Sequence, residues 1–345
     1  MECTSPNYMV FDGLKFNGKA HFIFIPNKSY NRMLKDFPHA EFIQTPCGHC
    51  ISCKIAYSRS WADRITLESK KYKDNYFITL TYDDDHLHQP YTRLKFKAEY
   101  DYCGNKKRVI DRSKCKEYNF GSLDKRDMQL FMKMIRKYFP ESKIKFFGCG
   151  EYGDESLRCH LHIILLNCPL NDLTNDFIQM VDGKEVIYHR TVNDGLLFSK
   201  TIYNAWCRRG EISVAPFSYD TASYVAQYCQ KKYDPKSSKV REELGYAPEF
   251  VLMSKGLGAD YVSEKLYDLD NIVVNGHVSA VPRYFDKKIT EKIGDEESYY
   301  LFREKRLVKK LRSVHDYKNG IMKKDKDRMI ENYRLITKNK LRNKI

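Results

Sequence analysis

Three short runs of β-branched and aromatic residues constrain the fold of this chain more than any other feature of its sequence. The runs are YFITLTY at 76–82, KIKFFGCG at 143–150 and HLHIILLN at 160–167. Each has the composition and length of a buried strand. The second and third runs are separated by the polar segment EYGDESLR, which predicts a hairpin. Part of the core is therefore expected to be a β-sheet.

Segments with helical periodicity lie between and after these strands. Apolar side chains recur at helical spacing in residues 47–71, 122–139 and 219–232. Ser122 is the predicted N-cap of the second segment. Residues 83–118 are polar and charged and predict a long surface excursion without clear structure. Residues 287–345 are rich in Lys, Arg and Glu at helical spacing, so a basic helical extension is expected there, with either a solvated face or DNA contacts.

The charge balance of the chain favours a polyanionic partner. The 60 Lys and Arg residues exceed the 45 Asp and Glu residues, which gives a formal charge of +15. Basic side chains that neutralise phosphates release condensed counterions, so nucleic acid is the expected partner. A solvated basic surface without a ligand is the alternative.

The cysteines and the apolar runs bear on the compartment. Eleven cysteines, an odd number, predict reduced thiols with a metal site rather than a disulfide framework. No run of about 18 apolar residues is present, and MECTSPNYMV lacks the pattern of a secretory signal. We therefore expect no membrane association and a cytoplasmic location.

Two HLH tripeptides are candidates for metal binding. In a strand, residues i and i+2 point to the same face. The pair His160 and His162 begins the apolar run IILL, whereas His86 and His88 follow a DDD turn. The second pair, His160 and His162, is therefore predicted to supply two ligands.

A carboxylate near the same hairpin can complete the ligand set. Glu151 ends the preceding predicted strand and is the expected third ligand, with Asp154 or Glu155 as alternatives. Two imidazoles and one carboxylate suit Mn²⁺ or Mg²⁺ acting on a phosphate. Zn²⁺ is also compatible with these ligand types.

Two tyrosines share one face of the third predicted helix. Tyr224 and Tyr228 are four residues apart, and Lys231 follows within a further turn. A phenol has an ordinary pKa near 10, so a nucleophilic tyrosine needs a polarised phosphate, a proton acceptor or a cation such as Lys231. Core packing of the two phenols is the alternative.

A cysteine-rich stretch precedes the first predicted helix. Cys47, Cys50 and Cys53 are spaced as in C-x-x-C zinc motifs, with His49 between them. A structural Zn²⁺ site would need a distant fourth ligand, such as Cys103 or Cys115. Free thiols at the start of a helix are the second interpretation.

Together these motifs resemble those of a known family. FITLTYDDDHL, GEYG with RCHLHIILLN, and YVAQYCQKK are similar, in order and spacing, to the three motifs of HUH replication initiators, most closely those of the microviruses. PCGHCISCKIAYSRSWADR also looks like a segment found in the gokushovirus branch. The resemblance spans about residues 46–260. It implies His160 and His162 as metal ligands, Glu151 as the third ligand, and Tyr224 and Tyr228 as nucleophiles, with Lys231 as the lysine of the Y-x-x-K pattern.

The resemblance also implies a fold and a reaction. The fold is α+β, an antiparallel sheet flanked by helices, with a lead-in at 1–45, an endonuclease domain at 46–260 and a basic, largely helical region at 261–345. The reaction is nicking of single-stranded origin DNA by a tyrosine, which leaves a 5′-phosphotyrosine and a 3′-hydroxyl that a host polymerase extends to start rolling-circle replication of a phage genome. No G-x-x-x-x-G-K-[ST] motif is present, so a host helicase is the expected source of strand opening.

Two other classes of function stay open at this point. A basic single-strand-binding module could stack bases on its aromatic residues without cutting. A Zn²⁺ hydrolase could use His160 and His162. A covalent protein–DNA adduct distinguishes the initiator from both.

Overall fold

The computed structural model describes residues 3–14, 20–36, 42–153, 156–181, 184–189, 195–231, 240–264, 271–293 and 302. The chain divides into two compact units. Residues 1–60 and 262–345 belong to the first unit, and residues 61–261 belong to the second. The predicted segment boundaries at 45 and 260 stay a prediction.

In the first unit, the described elements are small and mostly antiparallel. Strands β1 (Asn7–Leu14), β2 (Ala20–Ile25) and β3 (Phe42–Thr45) form a sheet in the order β2-β1-β3. A 3-10 turn and helix α1 (Tyr30–Asp36) connect β2 to β3, and helix α2 (Ile51–Ser69) spans the division between the units. Helix α6 (Tyr261–Glu264), hairpin β17 (Asn271–Val274) and β18 (His277–Ala280), and helix α7 (Arg283–Lys292) follow later in the chain. The described part of the predicted helical extension therefore includes a hairpin, and residues 294–301 and 303–345 lie outside the described residues.

A five-stranded antiparallel sheet organises the described part of the second unit. Its strands are β4 (Asn75–Thr81), β9 (Lys145–Tyr152), β10 (Cys159–Leu166), β15 (Ile212–Pro216) and β16 (Phe250–Met253), in the order β15-β4-β10-β9-β16. The predicted strand at 76–82 and the predicted hairpin are confirmed as β4 and as the β9–β10 pair. The apolar run of β10 lies at the centre of the sheet, where both of its faces are buried.

Helices cover both faces of this sheet. Helices α3 (Lys125–Tyr138) and α4 (Lys200–Ala205) pack on the face that carries Leu161 and Ile163. The second half of α2 and helix α5 (Tyr219–Lys231) pack on the opposite face against Ile164 and Leu166. The expected α+β architecture, a central antiparallel sheet with flanking helices, is confirmed.

The predicted N-cap of α3 is wrong. The chain stays extended through Asp124, and the Asp124 side chain, not that of Ser122, accepts the Arg126 backbone N–H. Ser122 lies two residues before the cap position and is buried. An aspartate at this position also complements the positive end of the helix.

The excursion at 83–118 has regular structure. Strands β5 (Tyr91–Arg93) and β8 (Lys116–Tyr118) pair with each other, and so do β6 (Phe96–Tyr100) and β7 (Lys106–Ile110), with 3-10 turns at 84–86 and 112–114. Further short strands are β11 (Leu173–Thr174), β12 (Asp176–Val181), β13 (Lys184–His189) and β14 (Phe198–Ser199). Among the described helices, none is both long enough and apolar enough to cross a bilayer.

Candidate active site

Strand register brings three potential metal ligands to one face of the central sheet. His160 lies directly opposite Glu151 in the β9–β10 pair. His162 is two residues further along β10 and therefore projects from the same face. The predicted ligands Glu151, His160 and His162 thus meet, although nine residues or more separate the carboxylate from the imidazoles in sequence.

The three side chains share one carboxylate oxygen. Glu151 Oε1 lies 2.7 Å from His160 Nε2 and 3.0 Å from His162 Nε2. Glu151 and His162 are buried, whereas His160 is partly exposed. Burial opposes ionisation of Glu151, but the hydrogen bonds from the two imidazoles outweigh it and lower the pKa of the carboxyl group to about 2. Glu151 is therefore an anion at neutral pH.

Hydrogen bonds behind the imidazoles orient them. His160 Nδ1 lies 3.2 Å from the Arg158 carbonyl oxygen, which can only accept, so Nδ1 carries the proton and Nε2 presents its lone pair. His162 Nδ1 lies 3.0 Å from Thr79 Oγ1 on the neighbouring strand. Such outer contacts fix the tautomer and ring orientation of metal-binding histidines.

This donor set fits a divalent cation. The potential ligand atoms of Glu151, His160 and His162 all lie within 4.8 Å of one another. One anionic oxygen and two imidazole nitrogens leave coordination positions for substrate oxygens. The alternative carboxylates, Asp154 and Glu155, lie outside the described residues.

Helix α5 places both candidate nucleophiles beside the imidazoles. The Tyr224 phenol oxygen lies 3.5 Å from His162 Nε2, and the Tyr228 hydroxyl donates to the Tyr224 oxygen at 2.8 Å. The Tyr228 and His162 rings are stacked, with centroids 6.1 Å apart. Ala222, Val225 and Ala226 on the buried face of α5 hold the helix against the sheet. The two phenols are therefore adjacent to each other and to the histidine pair.

The two phenols differ in their environment. Tyr224 is 41% exposed, whereas Tyr228 is only partly exposed. Burial, the Glu151 charge and the contact with Tyr224 raise the pKa of Tyr228 far above its ordinary value. Tyr228 is thus a neutral hydrogen-bond donor at neutral pH. Lys231 is the last residue of α5, and its side chain lies outside the described part of the structure.

Two site residues were not singled out from the sequence. Thr79 contacts His162 as described, and Phe77 stacks on the His162 ring with centroids 5.4 Å apart. Both belong to β4, and alternation along that strand predicts that they share a face. The register of β4 against β10 is needed to place that face at His162, and local sequence patterns do not reveal that register.

The other HLH pair takes part in separate contacts. His88 Nε2 lies 2.5 Å from Asp127 Oδ2, and His86 Nδ1 lies 2.6 Å from Asp83 Oδ1. The two imidazoles therefore bind different carboxylates. No group of His86 or His88 with two further potential ligands occurs among the described residues.

The cysteine-rich stretch forms a second potential metal site, in the first unit. The thiols of Cys47, Cys50 and Cys53 are joined by Cys3, and the four sulfur atoms lie within 4.8 Å of one another. The suggested fourth ligands Cys103 and Cys115 are not part of this group. Both lie instead in the excursion, where the Cys115 thiol contacts the Asp111 carbonyl.

The chain is similar to known replication-associated proteins. A family model described as a replication-associated protein of the ORF2 type matches residues 75–233. The replication-associated protein ORF2 of Spiroplasma virus 4 is 29% identical over 317 residues, which cover 89% of this chain and 86% of that protein. The replication-associated protein ORF4 of Chlamydia phage 1 is 28% identical over 281 residues, covering 76% of this chain and 59% of that protein.

A third relative is more distant. The replication-associated protein VP4 of Bdellovibrio phage phiMH2K is 25% identical over 252 residues, covering 70% of this chain and 65% of that protein. No solved structure matches. The matched family range contains the Glu151, His160 and His162 cluster and both tyrosines of α5. The chain therefore belongs to the family of replication-associated proteins of microviruses.

Proposed function

We propose that this protein is an HUH-type, metal-dependent endonuclease that nicks single-stranded origin DNA through a tyrosine and so initiates rolling-circle replication of a phage genome. The observation that carries the proposal is the meeting of two phenol oxygens, 2.8 Å apart, with the Glu151, His160 and His162 cluster. A nuclease of this kind needs a nucleophile and a phosphate-polarising group within reach of one another.

The attacking atom is a tyrosine oxygen. A bond forms between the phenol oxygen and the phosphorus atom, and the bond from phosphorus to the 3′-oxygen breaks. The phenol loses its proton and the 3′-oxygen gains one, which leaves a 5′-phosphotyrosine and a 3′-hydroxyl. The number of phosphodiester bonds is conserved, so a later attack by a 3′-hydroxyl reverses the linkage without ATP.

The contacts within the site assign distinct roles to its residues. Tyr228 donates a hydrogen bond to the Tyr224 oxygen and so stabilises negative charge on that atom. Lys231, three residues after Tyr228, is the proposed cation near the phenols. When bound by Glu151, His160 and His162, Mn²⁺ or Mg²⁺ supplies Lewis-acid polarisation of a phosphate oxygen.

Two adjacent tyrosines suit a replication cycle with two transfers. While one phenol oxygen carries the 5′ end of the displaced strand, the other attacks the regenerated origin. The 3′-hydroxyl released by that attack then displaces the first tyrosine and closes a unit-length circle. Both phenols are near one cation site, so one site serves both transfers.

The proposed partners follow from this reaction and from charge. The substrate is single-stranded origin DNA, in keeping with the formal charge of +15. A host helicase supplies the single strand, and a host polymerase extends the 3′-hydroxyl. The proposed place of action is the host cell cytoplasm.

The test is formation of a denaturant-resistant adduct with a single-stranded oligonucleotide that contains the viral origin. With Mn²⁺, we expect the wild type to form an adduct whose nucleotide maps to Tyr224 or Tyr228 by mass spectrometry of a protease digest. The double variant Y224F/Y228F should form at least about a thousandfold less, since the nucleophiles are removed. The single variants report which tyrosine attacks first.

Tyr219→Phe is the matched control. Tyr219 lies on the same helix, but its hydroxyl donates to Asp63 Oδ1 at 3.2 Å. This variant should keep wild-type adduct yield. Binding of DNA without any adduct would favour the binding module, and cleavage without a covalent intermediate would favour the hydrolase; either result would overturn the proposal.

A further inference from the structure

Four cysteine thiols converge in the first unit, far along the chain from the nuclease ligands. The sulfur atoms of Cys3 and Cys50 are 3.7 Å apart, and those of Cys47 and Cys53 are 3.9 Å apart. All four atoms lie within 4.8 Å of one another. Such spacing matches four sulfur ligands around one ion more closely than a set of unrelated thiols.

Strand pairing explains why Cys3 joins a cluster 44 residues away. Asn7 at the start of β1 pairs with Thr45 at the end of β3. Cys3 lies four residues before this pair and Cys47 lies two residues after it, so both leave the sheet at the same end. Asn27 strengthens this end, because its side chain donates to the Pro6 carbonyl oxygen at 2.8 Å.

Backbone amides point at the sulfur atoms. Cys47 Sγ accepts the N–H groups of His49 at 3.4 Å and Cys50 at 3.3 Å, and Cys3 Sγ accepts the N–H of Cys47 at 3.3 Å. The positive φ of Gly48, +78°, makes the tight turn that aims these amides. Amide donors and the start of α2 after Cys50 both favour thiolates over thiols.

The sheet that carries Cys3 has a small core. Among the described residues, its buried apolar cluster consists of Tyr8, Ile25 and Phe42. A core of this size cannot offset the conformational entropy of ordering three strands, and small folds of this kind use a metal or a disulfide as a staple. The cysteine cluster is positioned to be that staple.

We propose that Cys3, Cys47, Cys50 and Cys53 bind one Zn²⁺ as a tetrahedral, all-thiolate structural site. Four protein ligands fill a tetrahedral ion, so no position remains for substrate, and the site is structural. It joins the segment before β1 to the segment between β3 and α2. The sulfur-only ligand set also separates it from the Glu151, His160 and His162 cluster, which prefers harder cations.

The test measures metal content and thiol protection in the full-length protein, purified under reducing conditions and dialysed against EDTA. We expect one equivalent of Zn²⁺ to remain and four thiols to react with an alkylating agent only after the zinc is released by a mercurial. The Co²⁺-substituted protein should show the intense visible bands of tetrahedral thiolate coordination. Cys3→Ser should accelerate zinc loss to a competing chromogenic chelator by at least tenfold.

Two matched variants test the ligand assignment. Cys103→Ser removes an exposed thiol outside the cluster, and His49→Gln removes an exposed imidazole within the turn; neither should change zinc content or the release rate. Zinc loss in His160→Ala would instead place the zinc at the nuclease ligands and overturn the proposal.

Several outcomes would contradict this site. They are protein without zinc whose four thiols alkylate freely, iron in place of zinc, thiols that react only after reduction, which would indicate disulfides, and a Cys3→Ser variant with wild-type zinc release. Because adduct formation is scored separately, the nuclease proposal and the zinc proposal can fail independently.

Discussion

Thr79 is the residue whose contact with the candidate metal ligands is most easily tested in isolation. Its hydroxyl lies 3.0 Å from His162 Nδ1, on the side of the ring opposite Glu151. If His162 uses Nε2 as a ligand, then Nδ1 carries the proton and Thr79 accepts it. Thr79 therefore positions the imidazole without itself contacting substrate.

We predict that Thr79→Val raises the Mn²⁺ concentration needed for half-maximal adduct formation by about 10- to 100-fold, the usual effect of removing such a partner. Valine keeps the shape of the side chain and removes the hydrogen-bond acceptor. Thr81→Val is the control, because Thr81 lies on the same face of β4 but donates to the Glu211 carbonyl oxygen at 3.0 Å. Equal metal requirements in the two variants would refute a positioning role for Thr79.

Asp127 is a buried carboxylate that is satisfied by three side chains. Tyr82 donates to its Oδ2 at 2.7 Å, Arg209 binds its Oδ1, and His88 Nε2 lies 2.5 Å from Oδ2. The hydrogen bond to Asp127 raises the pKa of His88 against the opposing effect of burial. The charged form of His88 therefore stabilises the folded state, and this contribution is present below a pH of about 6.5 and is lost as pH rises through the folded-state pKa.

We expect His88→Gln to lower the free energy of unfolding by about 1.5 kcal/mol at pH 5.5, because a hydrogen bond to a charged group is weakened. At pH 9 the loss should be smaller, since His88 is then largely neutral in both states. Urea denaturation of both proteins at the two pH values measures this difference. His86→Gln, which affects an exposed pair with Asp83, should show no comparable pH dependence.

The residues of the candidate site differ in how far sequence reasoning could reach them. Tyr224 and Tyr228 were predictable as neighbours because i,i+4 spacing on a helix fixes their relation. His160 and His162 were predictable as a pair because alternation on a strand does the same. Thr79 and Cys3 were not, because their positions depend on which strands pair and in which register. Local periodicity contains no information about that register.

At the scale of elements, the β6–β7 hairpin has two faces of different composition. Phe96 and Tyr100 are exposed on one face together with Lys106 and Arg108, and the Arg108 guanidinium lies 4.1 Å from the Phe96 ring centroid. The opposite face carries Lys97, Glu99 and Lys107. Aromatic rings beside cations suit stacked bases and their phosphates. The hairpin was not predicted, because neither face is buried and its sequence therefore lacks the apolar alternation that identifies a strand.

We predict that K106A/R108A weakens binding of single-stranded DNA more than K97A/K107A, although each variant removes two positive charges. The first variant affects the face that also carries the exposed aromatic rings. Removal of two phosphate-binding charges should reduce the slope of log K against log salt by about 1.4. Fluorescence anisotropy with a labelled oligonucleotide over a salt series measures both effects. Equal losses of affinity in the two variants would indicate diffuse charge attraction without a preferred face.

For the whole molecule, the central sheet was predictable and its assembly was only partly so. The runs that became β4, β9 and β10 contain enough β-branched and aromatic residues to identify strands on their own. The order β15-β4-β10-β9-β16 was not predictable, because β15 and β16 are short and are recruited from distant parts of the chain. The placement of α5 over the histidine face depends on that order.

The excess positive charge is concentrated near the end of the sequence. Residues 303–345 contain 16 Lys and Arg but only 5 Asp and Glu, against a formal charge of +15 for the full chain. Charge of this kind attracts phosphates regardless of base sequence. Sequence-independent affinity and tyrosine chemistry should therefore be separable, since the latter depends on residues of the second unit.

Neutralising part of this charge tests the separation. In a full-length variant with Lys309, Lys310, Lys323 and Lys324 changed to Gln, we predict weaker binding of non-origin single strands and a salt slope reduced by up to about 3, at roughly 0.7 for each phosphate of a single strand that is no longer neutralised. At low salt and saturating protein, the adduct yield with origin DNA should stay at the wild-type level, because binding is then complete and the candidate nucleophiles are unchanged. An unaltered slope would show that these lysines do not contact phosphates. A fall in adduct yield under saturating conditions would show instead that this region takes part in the reaction itself.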